Sequence, residues 1–284
     1  QRGSRIGQSA VPKTTVPIRC LHLRNVTILG RQYVGGLIGL GQVTLEDCSM
    51  TGEVAGQSLV GGLVGRSMRG ALSRCSVDAQ VTGEFAVGGM VGSTWPGHGL
   101  TVQGCSAAGI VTGQLCTGGL IGHSYSGEDS INRCSAACDV HGRYITGGCL
   151  GSTVGSTIAM SCARGNVTGE SWMGGFAGQI VYADVSDCYC IADVSGQRRV
   201  GGFVGWTREE SIVRCYAASP VSASDVDPNC PLAGGFVCFG GSSSPAQVET
   251  CIVAAEKCFC DAELAGPVAA VANCLISTPL IQGL

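Results

Sequence analysis

Apolar residues along this chain follow short runs of period two that glycine interrupts. In one such run, Cys105, Ala107 and Val111 share one parity, whereas Ser106 and Ala108 fall on the other. Alternation over a few residues is the pattern of half-buried β-strands. No helical period runs long enough to compete, and glycine this frequent would weaken a helix by roughly 1 kcal/mol per site. The pattern predicts an all-β protein.

Three short markers recur in constant order over about 240 residues. One marker is a valine that stands two residues before a glycine, as in Val81-Thr82-Gly83. It follows a second marker, a recurring cysteine, by about six residues. That cysteine lies some dozen residues after a Gly-Gly pair, and most steps between these cysteines are 26 to 30 residues. Three synchronised markers predict a repeat protein. The Gly-Gly pairs begin at Gly35, Gly61, Gly88, Gly118, Gly147, Gly174, Gly201 and Gly234.

A unit of this size with two or three short strands and glycine corners matches one coil of a parallel β-solenoid. Stacking buries the apolar face of each coil and pairs its strands with the copies above and below. We therefore predict a parallel β-solenoid of about nine coils with repeats of about 28 residues. At about 4.8 Å per coil the rod would be about 40–45 Å long. An apolar residue three positions before most marker cysteines predicts a corner or bulge between them.

The markers divide the chain into three parts. Residues 1–19 form an extended, proline-punctuated segment, residues 20–247 the solenoid, and residues 248–284 a degenerate last coil and C-terminal cap. Open solenoid edges would pair with other β-strands, so natural solenoids are capped. The first segment is expected to cover the first coil or to reach a neighbouring molecule as a donated strand.

The repeat resembles the GLUG motif. The seventh unit shows the likeness well, from Cys188-Tyr189 through Val194-Ser195-Gly196 to Val200-Gly201-Gly202-Phe203-Val204-Gly205, and the resemblance covers roughly residues 20–240. In that family the repeats occur in large bacterial surface and secreted proteins, including adhesin-like chains and some IgA-specific metallopeptidases. The resemblance implies a β-solenoid segment and an extracellular setting. It does not imply peptidase activity, because the zinc domain is separate there and this chain has no His-Glu-x-x-His sequence.

Composition narrows the range of functions. The net charge is −3 and no basic patch appears that could neutralise phosphates, so we expect no nucleic-acid partner. No uninterrupted apolar stretch reaches 18 residues, so we expect no membrane span, and no charged-then-apolar leader opens the chain. We expect no cofactor and no metal site, because none of the close cysteine pairs forms the doubled spacing of zinc sites.

The 18 cysteines fall into two groups. The first is expected to stack in the core as a ladder, since buried free cysteine behaves as a small apolar residue. Its members are Cys20, Cys48, Cys75, Cys105, Cys134, Cys162, Cys188, Cys215 and Cys251. Several cysteines outside the ladder crowd the last 60 residues and are candidates for disulfides that secure that end. These are Cys230, Cys238, Cys258, Cys260 and Cys274.

Variable segments follow each Gly-Gly-x-x-Gly and should project from one edge of the rod. Aromatic residues there form a candidate contact face, because tryptophan, tyrosine and arginine are favoured at binding hot spots, although they could equally shield the coil edges. They are Trp95, Tyr125, Trp172, Tyr182 and Trp206. Asn25 and Asn166 begin glycosylation sequons, and Val-Thr-Gly is also part of the repeat itself.

No catalytic constellation is evident, so we expect a non-enzymatic protein. Asp139 and Asp193 share a slot two coils apart, which suits a solvated outward row better than a paired-carboxylate site. We predict an extracellular or cell-surface structural or adhesive protein that could assemble end to end into a filament. Its partners would be copies of itself, met through the solenoid ends, or other surface proteins and glycans. The alternatives are a carbohydrate-active β-helix enzyme and a spacer or stalk from a larger surface protein.

Overall fold

The computed structural model describes residues 17–125, 127–208, 210–224, 233–240, 247–249, 252–253, 258–259, 271–272 and 275–276. Side chains are described through residue 224 and again from 234 to 238. Every regular element in these ranges is a β-strand, and each strand runs parallel to the strands with which it pairs in the coils above and below. The predicted all-β parallel solenoid is therefore confirmed.

The strands form three sheets that run the length of the stack. The strands of sheet 1 are Ile18–Arg19, Ile38–Glu46, Val64–Ser73, Val91–Thr94, Leu100–Gln103, Ile121–Ser124, Ser130–Asn132, Leu150–Val154, Thr157–Ala159, Ala177–Val181, Asp184–Ser186, Val204–Arg208, Ser211–Val213, Val237–Gly240, Gln247–Glu249 and Val271–Ala272. Those of sheet 2 are His22–Leu29, Ser49–Ala55, Ser76–Thr82, Ser106–Thr112, Ser135–His141, Cys162–Thr168, Tyr189–Gly196, Tyr216–Ala217, Val221–Ala223, Ile252–Val253, Cys258–Phe259 and Leu275–Ile276. Those of sheet 3 are Gln32–Gly35, Ser58–Gly61, Phe85–Gly88, Leu115–Gly118, Tyr144–Gly147, Ser171–Gly174, Arg198–Gly201 and Ala233–Gly234.

Each coil passes through the sheets in a fixed order. The chain leaves sheet 2, crosses sheet 3, and then runs along sheet 1, usually as two strands that meet at a corner. The eight strands of sheet 3 mark about eight turns, close to the nine that were predicted. Ile18–Arg19 already pairs with Leu45–Glu46, two residues before the predicted start of the solenoid, and residues 1–16 lie outside the described part.

The glycines of the Gly-Gly-x-x-Gly marker are dictated by close backbone approaches. A Cβ on Gly147 would lie 2.1 Å from the carbonyl oxygen of Leu150, within the same turn. On Gly148 it would lie 2.2 Å from the carbonyl oxygen of Gly175 in the next coil, and on Gly151 2.7 Å from the backbone of the sheet 3 strand of the preceding coil. Only glycine lets the backbone pass so closely. The marker therefore records where sheet 3 meets sheet 1.

The core consists of columns of identical or similar side chains, one from each coil. The column that follows the Gly-Gly pairs contains three phenylalanines, and the rings of Phe176, Phe203 and Phe236 stack with centroids 4.8 and 4.7 Å apart. Four earlier coils fill the same column with leucine, methionine or cysteine side chains that are fully buried, and the first coil places the partly buried Leu37 there. The four buried residues are Leu63, Met90, Leu120 and Cys149.

The predicted corner is confirmed directly before six of the marker cysteines, which are Cys48, Cys75, Cys105, Cys134, Cys188 and Cys215. The residue at this corner adopts a left-handed backbone, with φ between 50° and 60°. Because its side chain points to solvent, the position accepts charge, and Arg74 pairs with Asp47 at 2.8 Å across one coil step. The members of this corner column are Cys20, Asp47, Arg74, Gly104, Arg133, Met160, Asp187 and Arg214.

Candidate contact face

Two adjacent columns of side chains run along the stack where sheet 3 meets sheet 1, and together they are called the groove below. One side is formed by the second residue of each of the first seven sheet 3 strands, which adopts a left-handed backbone. The other is formed by the outward column of sheet 1, in which Arg66, Ser93 and His123 are neighbours in register. The sheet 3 side contains Tyr33, Leu59, Ala86, Cys116, Ile145, Trp172 and Arg199, and the sheet 1 side contains Leu40, Arg66, Ser93, His123, Ser152, Gln179 and Trp206.

Side-chain size varies along this groove. In the middle coils small residues line it, and Ala86, Cys116 and Ser152 are buried. Toward the C-terminal coils Trp172 and Trp206 fill it, with ring centroids 6.0 Å apart and an angle of 17° between the rings. The groove is therefore filled by aromatic rings at its C-terminal end.

Arginine side chains lie over the aromatic rings on this side of the rod. The guanidinium of Arg66 lies 4.2 Å from the ring of Trp95, and that of Arg199 lies 5.5 Å from Trp172. Such cation–π contacts order both side chains in the free protein. Binding a ligand would therefore cause little further loss of their conformational entropy. Of the five aromatic residues predicted as contacts, the structure brings Trp172 and Trp206 together.

The other three predicted aromatics lie elsewhere on the coils. Trp95 and Tyr125 directly follow two paired strands of sheet 1, Val91–Thr94 and Ile121–Ser124. Tyr182 is exposed at the corner between the two halves of sheet 1, where Arg208 covers its ring at 5.8 Å. The five therefore form separate clusters instead of one continuous surface.

His123 links the groove to the neighbouring aromatic side chains. Its ring centroid lies 6.3 Å from Phe85 and 5.3 Å from Tyr125. Burial, together with the nearby positive charge of Arg66, lowers the pKa of His123 to about 4. The imidazole is therefore neutral at physiological pH, which suits its aromatic surroundings.

This neutral histidine predicts a specific acid sensitivity. Its pKa is about 4 in the folded chain and about 6.5 when unfolded, so the unfolded chain binds the extra proton first. The free energy of unfolding should fall by about 2 kcal/mol between pH 6.5 and pH 4, because folding must displace that proton. Urea denaturation of wild type and His123→Gln at several pH values tests this. The difference between the two should shrink as pH falls, and a constant difference would contradict the assignment.

A buried polar cluster, which the sequence did not reveal, joins three consecutive coils. Asp129 is buried, and its carboxylate accepts hydrogen bonds from the hydroxyls of Thr94 at 2.8 Å and Ser124 at 2.5 Å and from the backbone N–H of Leu100 at 2.8 Å. The hydroxyls of Ser124 and Ser156 are 2.7 Å apart. The cluster holds together the two corner loops of sheet 1 that follow Thr94 and Ser124.

The cysteine ladder is shorter than predicted, and two of its predicted members are wrong. Sheet 2 register pairs Cys162 with Ser135 and Tyr189, so the ladder position of that coil is Ser161. Cys20 is exposed and occupies the left-handed corner, one residue before the ladder position. Cys251 lies outside the described residues. The ladder members that the structure places in the core are Cys48, Cys75, Cys105, Cys134, Cys188 and Cys215.

Ladder cysteines also make hydrogen bonds at the corner. The Sγ of Cys75 donates to the carbonyl oxygen of Ser73 at 3.4 Å, and the Sγ of Cys105 accepts from the backbone N–H of Cys75 at 3.4 Å. Ser161 reproduces both contacts, because its hydroxyl donates to Ala159 at 2.9 Å and accepts from Cys134 at 3.1 Å. The position therefore requires a small side chain with one polar atom, which both residue types supply.

Thiol reactivity should follow this burial. Burial raises the pKa of Cys116, Cys138 and Cys190 to about 12, so these groups are neither accessible nor ionised near neutral pH. Among the cysteines up to Cys215, only the exposed Cys20 and the partly exposed Cys162 should react with iodoacetamide in the native chain. Peptide mass spectrometry after a short pulse at pH 8 measures this. Labelling of Cys75 or Cys105 at the rate of Cys20 would contradict the ladder.

The remaining predicted sites are placed as follows. Cys238 is partly buried. Cys230, Cys260, Cys274 and the side chain of Cys258 lie outside the described residues, so the disulfides at this end stay a prediction. Asn25 and Asn166 are exposed on sheet 2, and the Asn166 amide donates to Asp139 at 2.9 Å.

Two further features bear on chemistry. Among the described residues, no group of three or more histidine, cysteine or acidic side chains is arranged to hold a metal ion. The described part also contains no helix of the length and hydropathy that a membrane crossing requires.

Comparison with known families finds a match that corresponds to a structural unit. The family model described as the GLUG motif matches residues 56–82. The chain carries a GLUG motif. These residues comprise one strand of each sheet, Ser58–Gly61, Val64–Ser73 and Ser76–Thr82, so the motif is one full turn of the solenoid. Among curated proteins and among solved structures, no significant match to the chain is found.

Proposed function

We propose that this chain is a non-enzymatic structural or adhesive repeat protein that acts outside the cell or at its surface. The observation that carries the proposal is the series of aromatic and arginine side chains on one side of the rod, represented by Trp172, Trp206 and Arg199. Aromatic and arginine side chains that are already ordered bind partners with little further loss of conformational entropy. A stiff rod that presents such groups suits adhesion.

A surface-retention experiment tests this proposal. The full chain is passed over immobilised extracellular-matrix proteins and cell-surface glycoproteins, together with the double variant Trp172→Ile and Trp206→Gln. Ile145 and Gln179 occupy the same two columns, so both replacements suit the fold. Wild type should be retained and the double variant should lose at least tenfold in affinity. Tyr216→Ser, on sheet 2, is the control and should behave as wild type; equal retention of all three chains would contradict the proposal.

End-to-end assembly is the second part of the proposal. The first described coil leaves Leu29 and Leu40 exposed, and parallel strands at an end can pair with those of another copy. Electron microscopy of the full chain over a range of concentrations should show rods that lengthen in multiples of one molecule. Single rods of one length at every concentration would contradict end-to-end assembly. That result would not affect the adhesive proposal, which the retention experiment tests.

A further inference from the structure

Sheet 3 presents a row of large apolar side chains to solvent. Phe85, Leu115 and Tyr144 are the first residues of three successive strands and lie directly in register. Their side chains are 38%, 37% and 39% exposed, whereas the apolar core side chains of the same coils are almost fully buried. Serine occupies the same position in the coils on either side, at Ser58 and Ser171. The apolar row is therefore confined to three coils, and a contiguous apolar patch with polar edges is typical of a binding site.

The size of this patch favours a small ligand. Each of the three side chains exposes a little over a third of its surface, so together they offer roughly 200 Å². A stable protein interface buries about 800 Å² on each partner. The apolar row is too small for such an interface and large enough for two or three sugar rings.

The spacing of the row fits an extended ligand. Successive strands are about 4.8 Å apart, so Phe85 and Tyr144 are separated by about 10 Å with Leu115 between them. Two sugar rings of an extended β-linked glycan span a similar length. Apolar side chains at this spacing can contact the C–H faces of successive sugar rings, because aromatic rings pack well against flat apolar surfaces.

A line of polar side chains borders the row. Glu84, Gln114 and Arg143 directly precede the three apolar residues and are exposed. A carboxylate, an amide and a guanidinium are planar groups that can make paired hydrogen bonds with adjacent hydroxyls. The backbone N–H groups of Leu115 and Tyr144 donate hydrogen bonds to the carbonyl oxygens of Glu84 and Gln114. The three polar residues therefore have the same spacing along the stack as the apolar row.

The charge of this region favours a neutral ligand. The guanidinium of Arg143 pairs with Glu170 at 2.9 Å and lies 5.1 Å from the ring of Tyr144. Its charge is thus already balanced by a carboxylate, and Glu84 would repel an anion. We propose that the apolar row and its polar line bind a neutral, extended oligosaccharide at a site separate from the Trp172 and Trp206 cluster, on which the proposed adhesive function rests.

Titration of the full chain with neutral hexasaccharides tests this. The probes are β-linked hexamers of glucose, mannose and N-acetylglucosamine, with heparin and hyaluronan hexamers as acidic counterparts. At least one neutral hexamer should bind, and more tightly than its disaccharide. The double variant Phe85→Ser and Tyr144→Ser should weaken that binding at least tenfold, and its fold should persist because Ser58 and Ser171 already occupy the same column.

Two further variants keep the test decisive. Ile110→Ser removes an apolar side chain that is 43% exposed on sheet 2, and it should change the affinity less than twofold. Gln114→Ala leaves the apolar row intact and should weaken binding at least fivefold. Binding of acidic hexamers alone, no binding of any neutral hexamer, or equal binding by the double variant would overturn the proposal. A change in oligomeric state without sugar binding would do so too, and would assign the row to self-association.

These outcomes are distinct from those of the adhesive function itself. Retention on immobilised glycoproteins through Trp172 and Trp206 depends on the groove and is measured without free oligosaccharide. A chain that is retained there and binds no neutral hexamer would refute only the oligosaccharide site at the apolar row.

Discussion

Replacing Gly148 with alanine is expected to lower the free energy of unfolding by about 3 kcal/mol. The new Cβ would lie 2.2 Å from the carbonyl oxygen of Gly175 and 3.1 Å from the Cβ of Ala163. The carbonyl belongs to the backbone of the next coil, so no side-chain rotation relieves the clash. The coils must separate locally, which stretches the hydrogen bonds between them, such as the 2.8 Å bond from Cys149 to Phe176.

Gly41 provides the matched control for this substitution. A Cβ there meets only the Cγ2 of Ile38 at 3.9 Å, and its backbone is not left-handed. Gly41→Ala should therefore change the free energy of unfolding by less than about 0.5 kcal/mol. Chemical denaturation of the two variants measures both effects. Equal losses would mean that glycine acts through chain flexibility, and the close backbone approach would not explain the marker.

Removing the Asp129 carboxylate should cost about 4 kcal/mol, because Asp129→Ala leaves three buried donors without an acceptor at roughly 1–3 kcal/mol each. These donors are the hydroxyls of Thr94 and Ser124 and the N–H of Leu100. The loss should be concentrated in the coils that the cluster joins. Hydrogen exchange should accordingly show faster opening of the strands Leu100–Gln103 and Ser130–Asn132 than of Ser49–Ala55.

An exposed carboxylate in a neighbouring corner is the control for this prediction. Asp184 begins a sheet 1 strand two coils further along the stack and faces solvent. Asp184→Ala should change stability by less than about 0.5 kcal/mol and leave hydrogen exchange unaltered. If Asp129→Ala behaves like Asp184→Ala, the buried cluster does not stabilise the stack.

The sequence predicts the stack because the same physical constraint repeats in every coil. Glycine recurs where backbone touches backbone, as at Gly147 and Gly148, and the corner recurs before each ladder position. A constraint that repeats at a fixed interval leaves a periodic pattern, so the fold, the coil length and the corner could all be predicted. The GLUG motif at residues 56–82 is one period of that pattern.

The two errors in the ladder arose from following residue identity instead of spacing. An apolar residue precedes the ladder position by three, and Ile158 and Ile18 stand three before Ser161 and Leu21. That spacing would have excluded Cys162 and Cys20, and the register confirms it. The sequence therefore marks the ladder position by the apolar residue three positions before it, and not by the cysteine itself.

The Asp129 cluster and the apolar row could not be predicted in the same way. Asp129 lies in a variable loop, and its partners come from different coils whose loops differ in length. Phe85, Leu115 and Tyr144 stand at a position that holds glutamine, serine or arginine in other coils, so no periodic pattern marks them. Their alignment appears only once strand register is known.

The central claim, that successive coils stack in register at one strand spacing, has a direct measurement. Thr27, Asp139, Asn166 and Asp193 lie in one outward column of sheet 2, four, five and six coils apart from the first. Spin labels on non-natural residues at Thr27 and at each of the other three should give distances of about 19, 24 and 29 Å by pulsed electron resonance. A constant increment of about 4.8 Å supports the stack. Distances that do not rise in equal steps along this column would contradict it.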